Sequence, residues 1–273
     1  MKTITNTIRL SVTAILCSQI MGHFSPALAD EKPMPAPPAI KMTVPPAIAL
    51  APPSASAMET TKVLIIRGLQ MDQITGITCT ENALPVSFSI VKKEKSAPPD
   101  KVEANDVGDT QAEVSLSIPA DFVGDSLTIT ASSEHGTSEH FTIPVISEGL
   151  LVAESEPNDG LRKAQPIRLG TTIQGLISQP KDVDVYEFQG TAGQILLAEV
   201  TADRIGSPCD SQLTLFDSAG QILKIADDSA ETSDAILKVT LPRDDTYRIV
   251  MLEATDRGSS ICTYLLRVTM TPQ

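Results

Sequence analysis

The sequence predicts an all-β protein made of two tandem β-sandwiches. Three observations carry this. Short apolar runs recur through residues 58–273, and several alternate strictly, as in Val114-Ser115-Leu116-Ser117-Ile118, the two-residue period of a half-buried strand. Glycines and polar clusters punctuate the runs at short intervals, as antiparallel sandwiches require. No long stretch carries the 3.6-residue period of an amphipathic helix. Each half, at about 90–120 residues, is large enough for its own core.

The chain opens with an expected secretion signal, residues 1–29. Lys2 and Arg9 form a positive start with no acid nearby, and residues 10–24 are mostly apolar. That run is too short and too interrupted to span a bilayer. Ala27-Leu28-Ala29 is an A-x-A cleavage signal, so the mature chain is expected to begin at Asp30. Leu16 stands before Cys17 where lipidation would need a small residue. Losing Lys2 and Arg9 takes the net charge from −13 to −15. Such an acidic surface repels phosphate backbones and anionic headgroups, which argues against nucleic-acid binding and favours divalent cations, basic partners or plain solubility. The mature chain contains no expected membrane span.

Residues 30–57 read as a Pro/Ala-rich linker, with Pro33, Pro35, Pro37, Pro38, Pro45, Pro46, Pro52 and Pro53. Such composition favours extended, polyproline-like chain. Ile40, Val44 and Ile48 leave room for a short edge strand.

Residues 58–147 form the first expected sandwich. Its strands are placed at 63–66, 86–90, 114–118 and 127–130, with Gly68, Gly76, Gly108, Gly124 and Gly136 between them. The order runs through Arg67-Gly68-Leu69, Ile74-Thr75-Gly76-Ile77, Asp109-Thr110-Gln111, Ile118-Pro119-Ala120 and Glu134-His135-Gly136-Thr137-Ser138. It resembles the immunoglobulin-like IPT/TIG family of bacterial surface proteins. The charged stretch 92–106 departs from that family's compact pattern and is expected to protrude as a loop.

Residues 148–273 form the second expected sandwich. Candidate strands lie at 195–200, 212–216, 222–225, 236–241, 247–252 and 264–270, with Asp217-Ser218-Ala219-Gly220 as a hairpin turn. Four motifs stand in register: Glu154-Ser155-Glu156-Pro157-Asn158-Asp159, Asp182-Val183-Asp184-Val185-Tyr186-Glu187-Phe188, the segment 213–220, and Asp245-Thr246-Tyr247-Arg248-Ile249-Val250. Over roughly residues 151–270 they resemble the bacterial pre-peptidase C-terminal (PPC) domain. That family consists of jelly-roll-like accessory sandwiches found on secreted proteases and on non-enzymatic surface proteins.

The residues of catalytic chemistry are sparse. His135 and His140 are the histidines of the expected mature chain, and both sit in or beside one turn that reads as exposed. The sequence contains no Gly-x-Ser-x-Gly elbow, no His-Glu-x-x-His pair and no Walker loop.

The acidic segments point to a cation. Ca²⁺ takes six to eight oxygen ligands. Glu154, Glu156, Asn158 and Asp159 offer four donors from one turn, and Asp182 and Asp184 offer two from the start of a strand. In extended chain, residues two apart face one side, so each acidic pair can converge. The spacing shows only that this is feasible; the same residues also make a turn whose acids are simply solvated. The resemblance implies more. In the collagen-binding modules of clostridial collagenases, members of the PPC family, the corresponding segments hold calcium. Val185 stands where the family often has an aromatic residue, which leaves the carboxylates intact. A further acidic stretch, with Asp227, Asp228, Glu231 and Asp234, reads as a solvated hairpin tip.

Aromatic platforms for collagen or glycans are not in view. The chain has no Trp. Alternation puts Tyr264 with Leu266, Val268 and Met270, Tyr247 with Ile249 and Met251, and Tyr186 with Phe188. All three are therefore expected in the core, hydroxyls at the rim, and the family's ligand-binding tyrosines are not carried over.

Cys79, Cys209 and Cys262 remain after cleavage. An oxidising compartment permits a disulfide, and an odd count leaves one cysteine outside it. Cys209 and Cys262 each precede a strand of the same sandwich beside a turn-like stretch, so these two are expected to pair. The other reading is that all three stay reduced and fill space. Cys79 is then either a small buried hydrophobe or an intermolecular link.

The combined reading is a secreted, cell-surface or periplasmic protein that is not an enzyme. It would bind an extracellular protein or matrix component as an adhesin or scaffold, with possible Ca²⁺ in its second domain. Two alternatives stand beside it: an accessory matrix- or glycan-binding module of a secreted enzyme system, and a hydrolase- or protease-associated protein.

Overall fold

A computed structural model describes residues 35–50, 60–79 and 86–272. The expected signal sequence, its cleavage site and Cys17 lie outside the described residues. The chain from Pro35 onward forms one compact unit, and it is all-β.

The first sandwich contains β1 (Ala39–Val44), β2 (Ile48–Leu50), β3 (Thr60–Leu69), β4 (Gly76–Cys79), β5 (Ser87–Lys95), β6 (Thr110–Ile118), β7 (Ser126–Ser133), β8 (Gly136–Thr137) and β9 (Phe141–Ser147). One sheet has the order β1-β3-β6-β5; the other runs β2-β9-β7-β4, with β8 paired to β7. β6 shows the cause most plainly. Its alternate residues Ala112, Val114, Leu116 and Ile118 are fully buried while Gln111, Glu113, Ser115 and Ser117 face outward. They pack on Leu64, Ile66, Leu127, Ile129 and Ile143. Burying each such aliphatic side chain contributes about 1.5–3 kcal/mol.

β1 and β2 fall inside the segment assigned to a linker, at the positions left open for an edge strand, and each is the edge of its sheet. β1 pairs with β3 and β2 with β9, in opposite sheets. Pro45 and Pro46 occupy the crossing between them, where no ladder donor is needed. Proline content masked how far this segment joins the fold: Met42, Ala47, Ile48 and Leu50 are all buried. The stretch 92–106 does not protrude as one loop. Its first residues extend β5 to Lys95, and its end forms a short helix, α1 (Ala104–Val107). The segment is folded down by Arg67, a residue only 3 % exposed. Arg67 donates to the carbonyls of Ser96, Ala97, Val107 and Gly108.

The second sandwich contains β10 (Leu151–Ala153), β11 (Gln165–Pro166), β12 (Thr172–Leu176), β13 (Val183–Gly190), β14 (Ile195–Thr201), β15 (Ser211–Phe216), β16 (Ile222–Ala226), β17 (Ile236–Thr240), β18 (Asp245–Glu253) and β19 (Thr263–Thr271). Its sheets are β10-β12-β19-β14-β17 and β11-β13-β18-β15-β16. The core joins Tyr186, Phe188, Leu196, Leu213, Leu237, Tyr247, Ile249, Tyr264 and Leu266. All three tyrosines are fully buried, as alternation requires.

The two sandwiches share apolar contacts. Met42, Val107 and Ile261 form one cluster; Ala47, Ile205 and Leu265 form another. Gly206 makes the second approach feasible. Its φ is +76°, and a Cβ there would stand 1.8 Å from the Lys41 carbonyl oxygen.

Candidate metal centre

The chain after β10 turns sharply through residues 154–159 and lies across the start of β13. Glu154 Oε2 accepts from the Leu176 amide at the end of β12 (2.9 Å). The Val185 amide donates to the Asn158 carbonyl (3.1 Å), which ties the turn to β13. Asp182 is fixed by Ser178, whose amide and hydroxyl both reach its Oδ2 (2.6 and 2.8 Å).

All six residues expected to hold a cation meet at this end of the sandwich. Glu156, Asp159 and Asp182 form the outer group, with one carboxylate oxygen from each within 4.8 Å of the others. Glu154, Asn158 and Asp184 lie beneath. Asn158 and Asp184 are fully buried, and Glu154 is half-buried against Asp184. The Asn158 backbone amide donates to Glu156 Oε2 (2.9 Å). Oriented with its nitrogen toward the acids, the Asn158 side chain donates to Asp184 Oδ1 (3.2 Å) and Glu156 Oε2 (3.1 Å). The opposite orientation points its Oδ1 at the same carboxylates, which a proton on Asp184 or a cation between them would stabilise.

The electrostatics follow from crowding. Burial, reinforced by the charges of its neighbours, raises Asp184 to about 8, against the opposing hydrogen bond from Tyr264. Burial likewise raises Glu154 to about 7, with the Glu156 charge adding to it. Among the described residues, the ion pair made by this group is Lys163 with Asp159, at 3.8 Å. Five carboxylates facing one ammonium form a donor set suited to a hard divalent ion, so the residues present fit calcium.

The tyrosine hydroxyls differ from expectation. Tyr264 donates to Asp184 Oδ2, and Tyr186 and Tyr264 share a 2.6 Å hydrogen bond. These two do not end at the rim; they form the floor of the acidic site. Their hydroxyls need partners once buried, and Asp184 supplies one. Gly175 stands directly opposite Tyr264 in the β12–β19 pairing, and its missing Cβ leaves space for the ring. A glycine inside a strand is the one sequence signal that points to this packing. Tyr247 is different, donating to the Arg243 carbonyl (2.6 Å).

Other singled-out residues separate. Asp234 is not a solvated tip residue. It is fully buried and accepts from the amides of Ala202 and Asp203 and from Arg204 Nε, at 2.7, 2.8 and 2.7 Å. The stretch around it is no hairpin either, because β16 and β17 belong to opposite sheets. Asp227 and Asp228 are exposed and gather with Asp210. His135 sits 3.5 Å from Glu134 in the β7–β8 turn, and His140 is exposed before β9.

Comparison with known proteins agrees with part of this picture. Residues 182–253 match the family model of the bacterial pre-peptidase C-terminal domain. A probable subtilase-type serine protease from Deinococcus radiodurans is 40 % identical over 95 residues, which are 34 % of this chain and 13 % of that protein. The chain thus spans about an eighth of that relative's length. Among solved structures, the pre-peptidase C-terminal domain of Bacillus anthracis collagenase aligns at 17 % identity and a TM-score of 0.33, covering 42 % of this chain and all of that one. The g-type lysozyme inhibitor PliG of Aeromonas hydrophila aligns at 15 % identity and 0.32, covering 44 % and 97 %.

Proposed function

We propose that this chain is a secreted, non-catalytic binding or scaffold protein whose second sandwich is stabilised by calcium. The carrying observation is the convergence of Glu154, Glu156, Asn158, Asp159, Asp182 and Asp184 at one end of that sandwich, with two of the acids pushed toward neutrality by burial. A divalent ion would neutralise this group. The turn 154–159 and the start of β13 would hold it, while Tyr264 and Ser178 keep Asp184 and Asp182 oriented. The IPT/TIG-like reading of the first sandwich and the expected cleavage after Ala29 belong to the same proposal, and together they make an exported, two-module surface protein. The 95-residue likeness to part of a probable serine protease supports an accessory module shared between secreted proteins. It also keeps in view the reading as the matrix- or glycan-binding accessory of a secreted enzyme system.

Calorimetric titration of the EDTA-treated protein with Ca²⁺ tests the cation. Binding is expected, with stabilisation of about 2.7 kcal/mol at a hundred times Kd. A melting-temperature rise should accompany it and vanish in the Glu156→Ala/Asp184→Ala double variant. No heat and no rise, or the same rise in both proteins, would refute it. Pull-down from extracellular matrix fractions separates a matrix accessory from a scaffold that acts elsewhere. Turnover in a broad hydrolase panel would overturn the non-catalytic part.

A further inference from the structure

Cys209 and Cys262 have no part in the acidic site. Cys209 lies two residues before β15, and Cys262 immediately precedes β19. These strands belong to opposite sheets, so the pair spans the sandwich at one end rather than joining neighbouring strands. Both are buried, at 1 % and 2 % exposure. They are thiols in the structure, both belong to the same buried core cluster of the second sandwich, and the Cys262 thiol lies near enough to shift the ionisation of Cys209.

Their position gives the pair a mechanical meaning. Ile261, next to Cys262, packs on Met42 and Val107 of the first sandwich. Ile205 packs on Ala47, and Gly206 lies against the Lys41 carbonyl, just ahead of Cys209. The two segments that grip the first sandwich both run directly into the cysteines.

We propose that Cys209 and Cys262 close into a disulfide that ties the two sheets of the second sandwich together at its junction with the first. The oxidant is a disulfide of the glutathione class. One cysteine thiolate attacks an oxidant sulfur and expels the other as a thiolate. The second cysteine then attacks the mixed disulfide, forms the Sγ–Sγ bond and releases the remaining oxidant thiol. Two protein thiols are oxidised, one small disulfide is reduced to two thiols, and the protons pass to those products. In the folded chain the neighbouring Cys262 thiol and burial raise the Cys209 thiol above its usual range, so thiolate is scarce there. Exchange therefore occurs during folding, before the pair is enclosed, and the enclosed bond resists reduction.

The test is peptide mapping of full-length protein refolded in glutathione redox buffer with EDTA present, so that cation binding plays no part. After alkylation and trypsin, the expected species is peptide 205–224 joined to peptide 258–267, lighter than the two together by two hydrogens. Both peptides alkylated and unlinked, or either joined to the Cys79 peptide, would overturn the proposal. In parallel, wild type refolded with oxidant should melt about 10 °C above wild type refolded without it, for a closed loop of about 50 residues. Cys209→Ala/Cys262→Ala should melt at one temperature in both buffers. An equal oxidant effect in that variant would also overturn the proposal. Should the variant not fold, the wild-type peptide map decides alone.

Discussion

Gly175→Ala is expected to be among the most damaging single-methyl additions in the second sandwich. A Cβ at 175 would stand 2.2 Å from Tyr264 Cζ, 2.3 Å from its Oη and 2.6 Å from Cε1. Ordinary carbon contacts are about 3.5–4.0 Å, so the ring must move by more than an ångström. Tyr264 cannot move freely, because it is fully buried and the clash falls on its hydroxyl end. Displacement breaks its bonds to Asp184 and Tyr186. Overpacking costs about 1–3 kcal/mol, and losing a buried hydrogen bond to a carboxylate adds about 1.5–3 kcal/mol. The sum is about 2.5–6 kcal/mol, read by urea unfolding in EDTA. Gly76→Ala is the control. Nothing lies within 4 Å of its Cβ position, and its effect should stay within about 0.5 kcal/mol. A loss below about 1 kcal/mol in Gly175→Ala would refute the argument that the glycine exists to seat Tyr264. The variant should also bind Ca²⁺ more weakly, since Asp184 loses the donor that orients it.

The remaining predictions concern charge. In EDTA, stability should fall as pH rises. Asp184 and Glu154 have folded values near 8 and 7, above the ordinary 3.8 and 4.5; the folded chain holds protons that the unfolded chain has lost. That contribution is complete below about pH 4 and gone by about pH 8, a change of a few kcal/mol; a stability that is flat or rises across this window contradicts the assignment. Asp184→Asn should flatten most of the slope. Arg67→Lys should cost about 2–3 kcal/mol, because an ammonium cannot reach the carbonyls of Ser96, Val107 and Gly108 together, and limited trypsin digestion at Lys101 should accelerate. Asp234→Ala should cost about 2–3 kcal/mol in urea unfolding, since it strands two amides and Arg204; unchanged stability would show that water replaces the carboxylate.

Alternation determined much of this protein from sequence alone. The runs at 114–118, 195–200 and 264–270 fixed strand faces, because side chains two apart in extended chain share a surface. That also placed the three tyrosines in the core and put Glu154 with Glu156 and Asp182 with Asp184. What sequence could not show was contact between elements distant in the chain. The convergence of the 154–159 turn on β13 depends on β10 pairing with β12, a register no local pattern encodes. The integration of 39–50 into both sheets was masked by its prolines, although Met42 and Ile48 are buried. Asp234 reads like its acidic neighbours in sequence; burial against the turn 202–204 is what separates it from them. The placement of Cys209 and Cys262 across opposite sheets, and of the Tyr264 hydroxyl beneath Asp184, likewise came only from the fold. In each case the deciding quantity is desolvation: the residue types are legible in the sequence, but which charges and hydroxyls lose water is set by how the two sheets close over them.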